Sequence, residues 1–267
     1  MITKFQWLIK QLKTVSGTKG KIFLLLFYIF RTLTYPIWMI KKFDYFKLFF
    51  LSDVLIRTKD GIYFCRKRSW DSFYVREDYE IKLRKYFQIN RGIFIDVGAH
   101  IGRYTIMVAR KLRNKGMVIS FEPERGNFQA LLNNIAINKL NNVIPLNLAL
   151  YSKASKLKLY LVPAIGIDGH SIYKKTSKYQ EVKTITIDQI VKKLKVNPKL
   201  IKLIKLDVQG AEPDILEGAR RTLKQTNARI IFESHNREHL QKCEKILNEL
   251  GYKSVVRIDD RNFLAEK

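Results

Sequence analysis

Phe94-Ile95-Asp96-Val97-Gly98-Ala99-His100-Ile101-Gly102-Arg103-Tyr104-Thr105 decides the fold. An apolar run ends in an acid, a glycine-bearing loop follows, and Tyr104, Met107, Val108 and Leu112 then recur at helical spacing. The pattern reads strand, tight turn, helix. Gly98 and Gly102 let the backbone bend and a ligand approach, while the first amides of the new helix point into the same space. Glycine pairs at strand ends also serve plain helix-on-sheet packing, so the neighbouring strand matters. Met117–Phe121 ends in Glu122, 24 residues beyond Gly98. A carboxylate there can accept hydrogen bonds from both hydroxyls of a ribose.

The spacing then separates the nucleotide cofactors. A dinucleotide loop wants G-x-G-x-x-G, whereas here Ala99 to Ile101 stand between the glycines and Asp96 precedes them. An acid in that loop repels phosphate and suits a cation. S-adenosylmethionine, with its sulfonium and ammonium beside a ribose, is therefore favoured over a nicotinamide or flavin.

Working outward, the alternation of strands and helices predicts a mostly parallel, doubly wound, Rossmann-like sheet with an antiparallel edge. Expected strands are 117–121, 143–148, 157–162, 182–187, 200–208 and 229–232, with an antiparallel pair at 252–258 and 262–265. Expected helices are 127–138, one beginning at Asp188 as its N-cap, 213–223 behind Pro213, and 239–250 stopped by Gly251. Between the expected strands 157–162 and 182–187, residues 164–179 read as a loop carrying Gly169-His170-Ser171. Asp96, Glu122, Asn147, Asp207 and Glu233 each fall at the C-terminal end of an expected strand, and such ends converge on one crevice.

Ahead of this domain (91–267), residues 52–90 read as a hairpin, 54–57 and 62–64 around Asp60-Gly61, then a polar loop 66–78 and a helix 79–87. Residues 1–51 read as a helical, membrane-associated extension. Ile2, Phe5, Ile9 and Leu12 make an apolar stripe on a basic helix, and 22–40 is almost continuously apolar and aromatic between lysines. The run approaches the roughly 20 residues of a bilayer span, but Arg31 at its centre costs about 2.5 to 3.5 kcal/mol there. An in-plane or re-entrant anchor ranks first, a true span second and a helix packed on the enzyme domain third. It lacks the small-residue cleavage site of a signal peptide.

With 267 residues, 46% of them hydrophobic, the chain can fill one large core and a small extension. Its formal charge of +26 is concentrated in 1–50, with nine Lys/Arg against Asp44, and in 151–205, with thirteen Lys against Asp168, Glu181 and Asp188. Two partners fit that charge: an anionic membrane surface with its glycolipids, or nucleic acid. No RNA-binding signature accompanies the lysines, so nucleic acid ranks second. Cys65 and Cys243 lack metal-ligand spacing and read as buried thiols of a reducing compartment, and the four histidines form no metal-binding pattern.

From Asp53 onward the chain resembles the FkbM family of S-adenosylmethionine-dependent methyltransferases. The resemblance is carried by Asp60-Gly61, Asp71, Tyr79-Glu80, Asp96 to Thr105, Phe121-Glu122-Pro123, Asn134, Asn138, Asp188, Lys205 to Glu212 and Leu216 to Ala219. It implies a class I methyltransferase fold without metal, and O-methylation of a hydroxyl on a sugar, glycolipid or polysaccharide. Donor-binding residues are expected at Asp96, Gly98, Gly102, Thr105, Glu122 and Asn147. Asp207 and Glu212 are expected to orient or deprotonate the acceptor, with Glu233 and His170 as alternatives. Gln209 stands where the family often has Glu, and a neutral amide cannot act as a base. The expected location is the cytoplasmic face of the membrane. An RNA methyltransferase and a catalytically silent membrane scaffold are the competing classes.

Overall fold

The computed structural model describes residues 52–67, 69–161, 170–173 and 175–267, with scattered positions between 9 and 29. Most of the basic helix and of the 22–40 run, and much of the 164–179 loop, lie outside them. Among the described residues no helix is long and apolar enough to cross a membrane.

Strands β1 (Val54–Arg57) and β2 (Ile62–Cys65) form the expected hairpin, closed by Thr58 N donating to Gly61 O. The polar stretch after it contains one helical turn, α1 (Asp71–Tyr74), and the helix expected at 79–87 is only a 3-10 turn at Arg84–Phe87. Glu80, at φ 45°, breaks a helix there, because a left-handed residue cannot continue it.

The main domain runs β3 (Gly92–Val97), α2 (Arg103–Leu112), β4 (Gly116–Phe121), α3 (Arg125–Ile137), β5 (Val143–Leu146), β6 (Ala149–Leu150), β7 (Lys156–Tyr160) and β8 (Tyr179–Ile185). It continues α4 (Ile187–Lys193), β9 (Ile201–Leu206), α5 (Glu212–Glu217), α6 (Arg220–Gln225), β10 (Arg229–Glu233), α7 (Arg237–Glu249), β11 (Ser254–Arg257) and β12 (Asn262–Glu266). Seven strands form one sheet in the order β11-β12-β10-β9-β3-β4-β5. β5, β4, β3, β9 and β10 are parallel, and β12 and β11 close the edge antiparallel. This is the doubly wound sheet read from the sequence. Its alternation divides the core: Phe94, Val118, Leu203 and Ile231 face α2, while Ile95, Phe121, Leu206 and Phe232 join Ile190, Leu216, Leu223 and Leu247 of the opposite helices.

Three expectations need correcting. The expected strand 143–148 stops at Leu146, and Ala149–Leu150 leaves for a small separate sheet, β6-β8-β7. The helix expected at 213–223 is two helices, because Asp188 N takes the Gly218 carbonyl and the Asp188 carboxylate accepts from Arg221 N (3.0 Å) and Thr222 N (2.7 Å). Asp188 thus caps α6 and not its own helix, whose cap is Thr186 in a capping box with Gln189.

The hairpin packs against the domain through α3. Asn134 Oδ1 accepts from Phe64 N (2.6 Å) and Asn138 Oδ1 from Ile62 N (3.0 Å), so two amides extend the strand's hydrogen bonding onto a helix. Val15, one of the described positions ahead of the hairpin, is buried and bridges Ile56.

Candidate active site

β3 pairs with β4 on one side and β9 on the other, so the chain leaves its C-terminal end in opposite directions and a crevice opens there. A cavity of roughly 910 Å³ occupies it. That lies at the upper end of the range for small-molecule sites, about 300 to 1,000 Å³, and leaves room for two ligands side by side. Gly98, Glu122, Asp207 and Glu233 line it from the strand ends, Tyr74 and Tyr79 from the segment after the hairpin, and Leu157 and Leu159 from β7.

On the β4 side, Gly98 N and Ala99 N both donate to Phe121 O at 3.0 Å, which turns the loop toward Glu122. Glu122 accepts from His100 N (2.7 Å) on one oxygen and from Glu124 N (2.9 Å) on the other. Burial pushes its carboxyl up to about 7 in spite of these amides. A carboxylate has about four acceptor positions, so roughly two remain for a ligand's hydroxyls. His100, left-handed at φ 52°, edges against Tyr74, and burial lowers its imidazole to about 4, so the ring is neutral.

The other expected donor residues are placed differently. Asp96 lies behind the cavity wall, accepting from Thr105 Oγ1 at 2.6 Å, with its carboxyl raised by burial to about 6. The acid read as facing a cation therefore ties β3 to α2, because at its position the strand alternation turns it away from the crevice. Gly102 stands at φ 90°, and a Cβ there would meet Leu131 Cδ1 at 2.5 Å. Its small size serves helix packing. Asn147 donates to Glu122 O (2.8 Å) and Pro123 O (3.1 Å), so it holds the carboxylate's backbone without lining the cavity.

On the β9 side, Lys205 and Asp207 pair at 2.6 Å, the ammonium almost fully buried and the carboxylate facing the cavity. Burial alone would raise the Asp207 carboxyl, but Lys205 outweighs it and holds it below the usual carboxylate value. Gln209 Nε2 donates to Glu233 Oε2 (2.8 Å) and Asp207 Oδ1 (3.3 Å). Glu212, expected beside Asp207 as a catalytic group, is fully buried and accepts from Val208 N (3.1 Å) and Gly210 N (2.9 Å), with His239 Nε2 3.0 Å away. It shapes the loop at the start of α5 and does not line the cavity. His170 does line it, and burial lowers its imidazole.

The sequence allows the segment after the hairpin to roof the ligand site but singles out no residue of it for that part. Asp71, fully buried, accepts from Arg66 Nε (2.7 Å), Nη2 (2.8 Å) and the Arg66 backbone amide (3.0 Å), and Arg66 also reaches Asn127 Oδ1 (2.8 Å). Trp70, Phe73, Tyr74 and Tyr79 form a chain of edge-to-face rings 5.2–5.9 Å apart. Arg103 lies over Tyr79 and Tyr104. The quoted motif residues Asp71 and Tyr79-Glu80 were a signal for this wall, but only the fold brings them to the crevice. Among the described residues no group of three or more His, Cys, Asp or Glu could hold a metal ion, and Cys65 and Cys243 are buried free thiols.

The profile of the methyltransferase FkbM domain matches residues 96–254. A hexuronic acid methyltransferase, AglP, of Haloferax volcanii is 29% identical over 154 residues, covering 58% of this chain and 60% of that protein. Methyltransferase 1 of Beauveria bassiana is 24% identical over 144 residues, covering 46% of this chain and 57% of that protein. The chain thus spans about three fifths of the length of these relatives. A crystal structure of methyltransferase FkbM from Methylobacillus flagellatus superposes with a TM-score of 0.49 at 16% identity, covering 98% of this chain and 58% of that one.

Proposed function

Since the chain belongs to the FkbM methyltransferase family, we propose that it transfers a methyl group from S-adenosylmethionine to a hydroxyl of a sugar or sugar-bearing acceptor. The observation that carries the donor assignment is Glu122, a buried carboxylate at the tip of β4 with acceptor positions left over and a glycine turn beside it. Glu122 would hold the ribose, and the Gly98–His100 loop the rest of the donor. When bound, the donor supplies an electrophilic methyl on a good leaving group, so the protein need only align the acceptor oxygen and remove its proton. The sugar acceptor is supported by the hexuronic acid methyltransferase among the relatives and by the aromatic and carboxylate wall, which suits the apolar faces and hydroxyl edges of a pyranose.

Calorimetry tests the donor. S-adenosylmethionine should bind the full chain, and Glu122→Ala should weaken it at least tenfold, since hydrogen bonds to a charged group contribute about 1.5 to 3 kcal/mol. Unchanged affinity in the variant would remove Glu122 from the donor site. Transfer of label from the methyl of the donor to fractionated glycan, membrane and RNA extracts separates a sugar acceptor from RNA.

We also propose that the N-terminal segment holds the enzyme at the cytoplasmic face of a membrane. Ile22, Leu25, Leu26 and Ile29 are spaced as one helical stripe and are each 43–55% exposed, and Lys21 beside them is exposed. The full chain should sediment with vesicles containing phosphatidylglycerol, and the double variant Leu25→Glu, Leu26→Glu should stay in the supernatant. Equal sedimentation of the two would place the stripe against protein.

A further inference from the structure

Register sets two carboxylates side by side. β9 and β10 are parallel with Leu206 opposite Phe232, so the next residues, Asp207 and Glu233, enter the cavity side by side from adjacent strands, whose backbones run about 4.8 Å apart. Two like charges so close need compensation, and the structure supplies it unequally. Asp207 has the buried Lys205 ammonium at 2.6 Å. Glu233 has the half-exposed Arg261 at 3.4 Å and the exposed His235 at 3.3 Å, with Lys205 acting on it from farther away. The Gln209 amide is shared between them, and its backbone is held left-handed at φ 57° to put it there. Residues other than glycine rarely adopt that conformation, so the loop is strained at the point where it bridges the carboxylates.

We propose that Asp207, Gln209 and Glu233 form one proton-accepting unit, in which Glu233 takes the proton of the acceptor hydroxyl while Asp207, held by Lys205, stays ionised. This rests on the methyl-transfer reading above. It also gives Gln209 a part that does not require it to be a base. When two carboxylates adjoin, one proton is retained between them, and the partners decide where it resides. Burial and the neighbouring Asp207 charge push the Glu233 carboxyl up to about 8. A group whose proton affinity lies near neutral accepts a proton more readily than Asp207, whose affinity is depressed. The other charged and titratable groups acting on the pair are Tyr74, Tyr79 and Glu80 from the segment after the hairpin, and Asp96, His100 and Tyr104 from β3 and the loop and helix that follow it.

In the reactive form both carboxylates are ionised. Glu233 receives the proton as the acceptor oxygen bonds the methyl carbon and the carbon–sulfur electron pair passes to sulfur. The sulfonium charge disappears as the carboxyl becomes neutral, so charge balances within the cavity. The exposed His235, 3.3 Å from Glu233, offers that proton a way out to solvent.

A cation facing the pair favours the ionised form, so binding the donor should drive the proton off Glu233, whereas S-adenosylhomocysteine, with a neutral sulfur, should do so less. Glu122 and Asp96 also titrate near neutrality, but both ligands carry the same ribose and ammonium, so their response is common to the two. Calorimetry of the full chain at pH 7.5, in buffers of different ionisation enthalpy, measures the difference. S-adenosylmethionine should release roughly half a proton more than S-adenosylhomocysteine. In Glu233→Gln that excess should vanish while both affinities stay within about threefold of the parent. Equal release by the two ligands, or an excess that survives in Glu233→Gln, overturns the proposal with donor binding intact. If neither ligand binds, the methyl-transfer reading fails and this one with it.

Discussion

Gly98→Ala is expected to lower the melting temperature by roughly 4 to 20 °C and to weaken donor binding more than tenfold. Gly98 sits at φ 79°, and a Cβ there would stand 2.0 Å from the Asp207 carbonyl oxygen and 3.0 Å from its carbon. Both neighbours are backbone, so no side chain can swing aside. The left-handed alanine costs about 1 to 2 kcal/mol and the overpacking about 1 to 3 kcal/mol more. At roughly 2 to 4 °C per kcal/mol for a domain of this size, the sum gives the stated shift. The collision falls where Asp207 N donates to Val97 O at 3.0 Å, so relief must separate the ends of β3 and β9 and displace both halves of the site. A scanning calorimetry trace within 2 °C of the parent would mean that the loop relaxes freely, against the close approach seen here.

Asp71→Ala should cost about 3 kcal/mol. Removing one partner of a buried pair leaves the other charge unpaired, at roughly 3 to 5 kcal/mol, and Arg66, whose side chain is 27% exposed, sits at the lower end. The loss has a pH signature. Burial would raise the Asp71 carboxyl, but the Arg66 hydrogen bonds outweigh it and hold it below the usual value. A depressed carboxyl contributes stability that is present above its unfolded value near 4 and is lost as the pH falls through its folded value. The gap between parent and variant in urea denaturation should therefore be full at pH 7 and narrow progressively below about pH 4. A gap that is constant down to pH 2 would make the effect one of packing. Donor affinity should fall as well, since Arg66 also holds Asn127 on the helix that follows Glu122.

The sheet was legible because its signals are local. Apolar runs of four to six residues, an acid or amide at each C-terminal end, and glycine or proline at the turns are written in neighbouring residues. The hairpin at Asp60-Gly61 was legible for the same reason. The site was legible in part. Gly98, Glu122, Asp207 and Glu233 were placed at strand ends and do line the cavity. Asp96 and Asn147 were assigned to it by the same logic, and Gly102, Thr105 and Glu212 by the loop and motifs that follow a strand; all five lie off the cavity, because nearness to a strand end does not say which way a side chain points.

What the sequence by itself determined is the order of strands and helices, the parallel core with its antiparallel edge, and the crevice at the ends of β3, β4, β9 and β10. These follow from periodicity, chain punctuation and the handedness of strand–helix–strand connections, all of which act over a few residues or are the same for every such fold. Only the tertiary structure decided that Asp188 caps a helix 33 residues away, that Asp71 and Arg66 wall the cavity, and that Lys205, Gln209 and Arg261 divide their support unequally between Asp207 and Glu233. The reason is that a carboxylate's role is set by the charge and solvent around it, and those neighbours arrive from distant segments only once the core has closed.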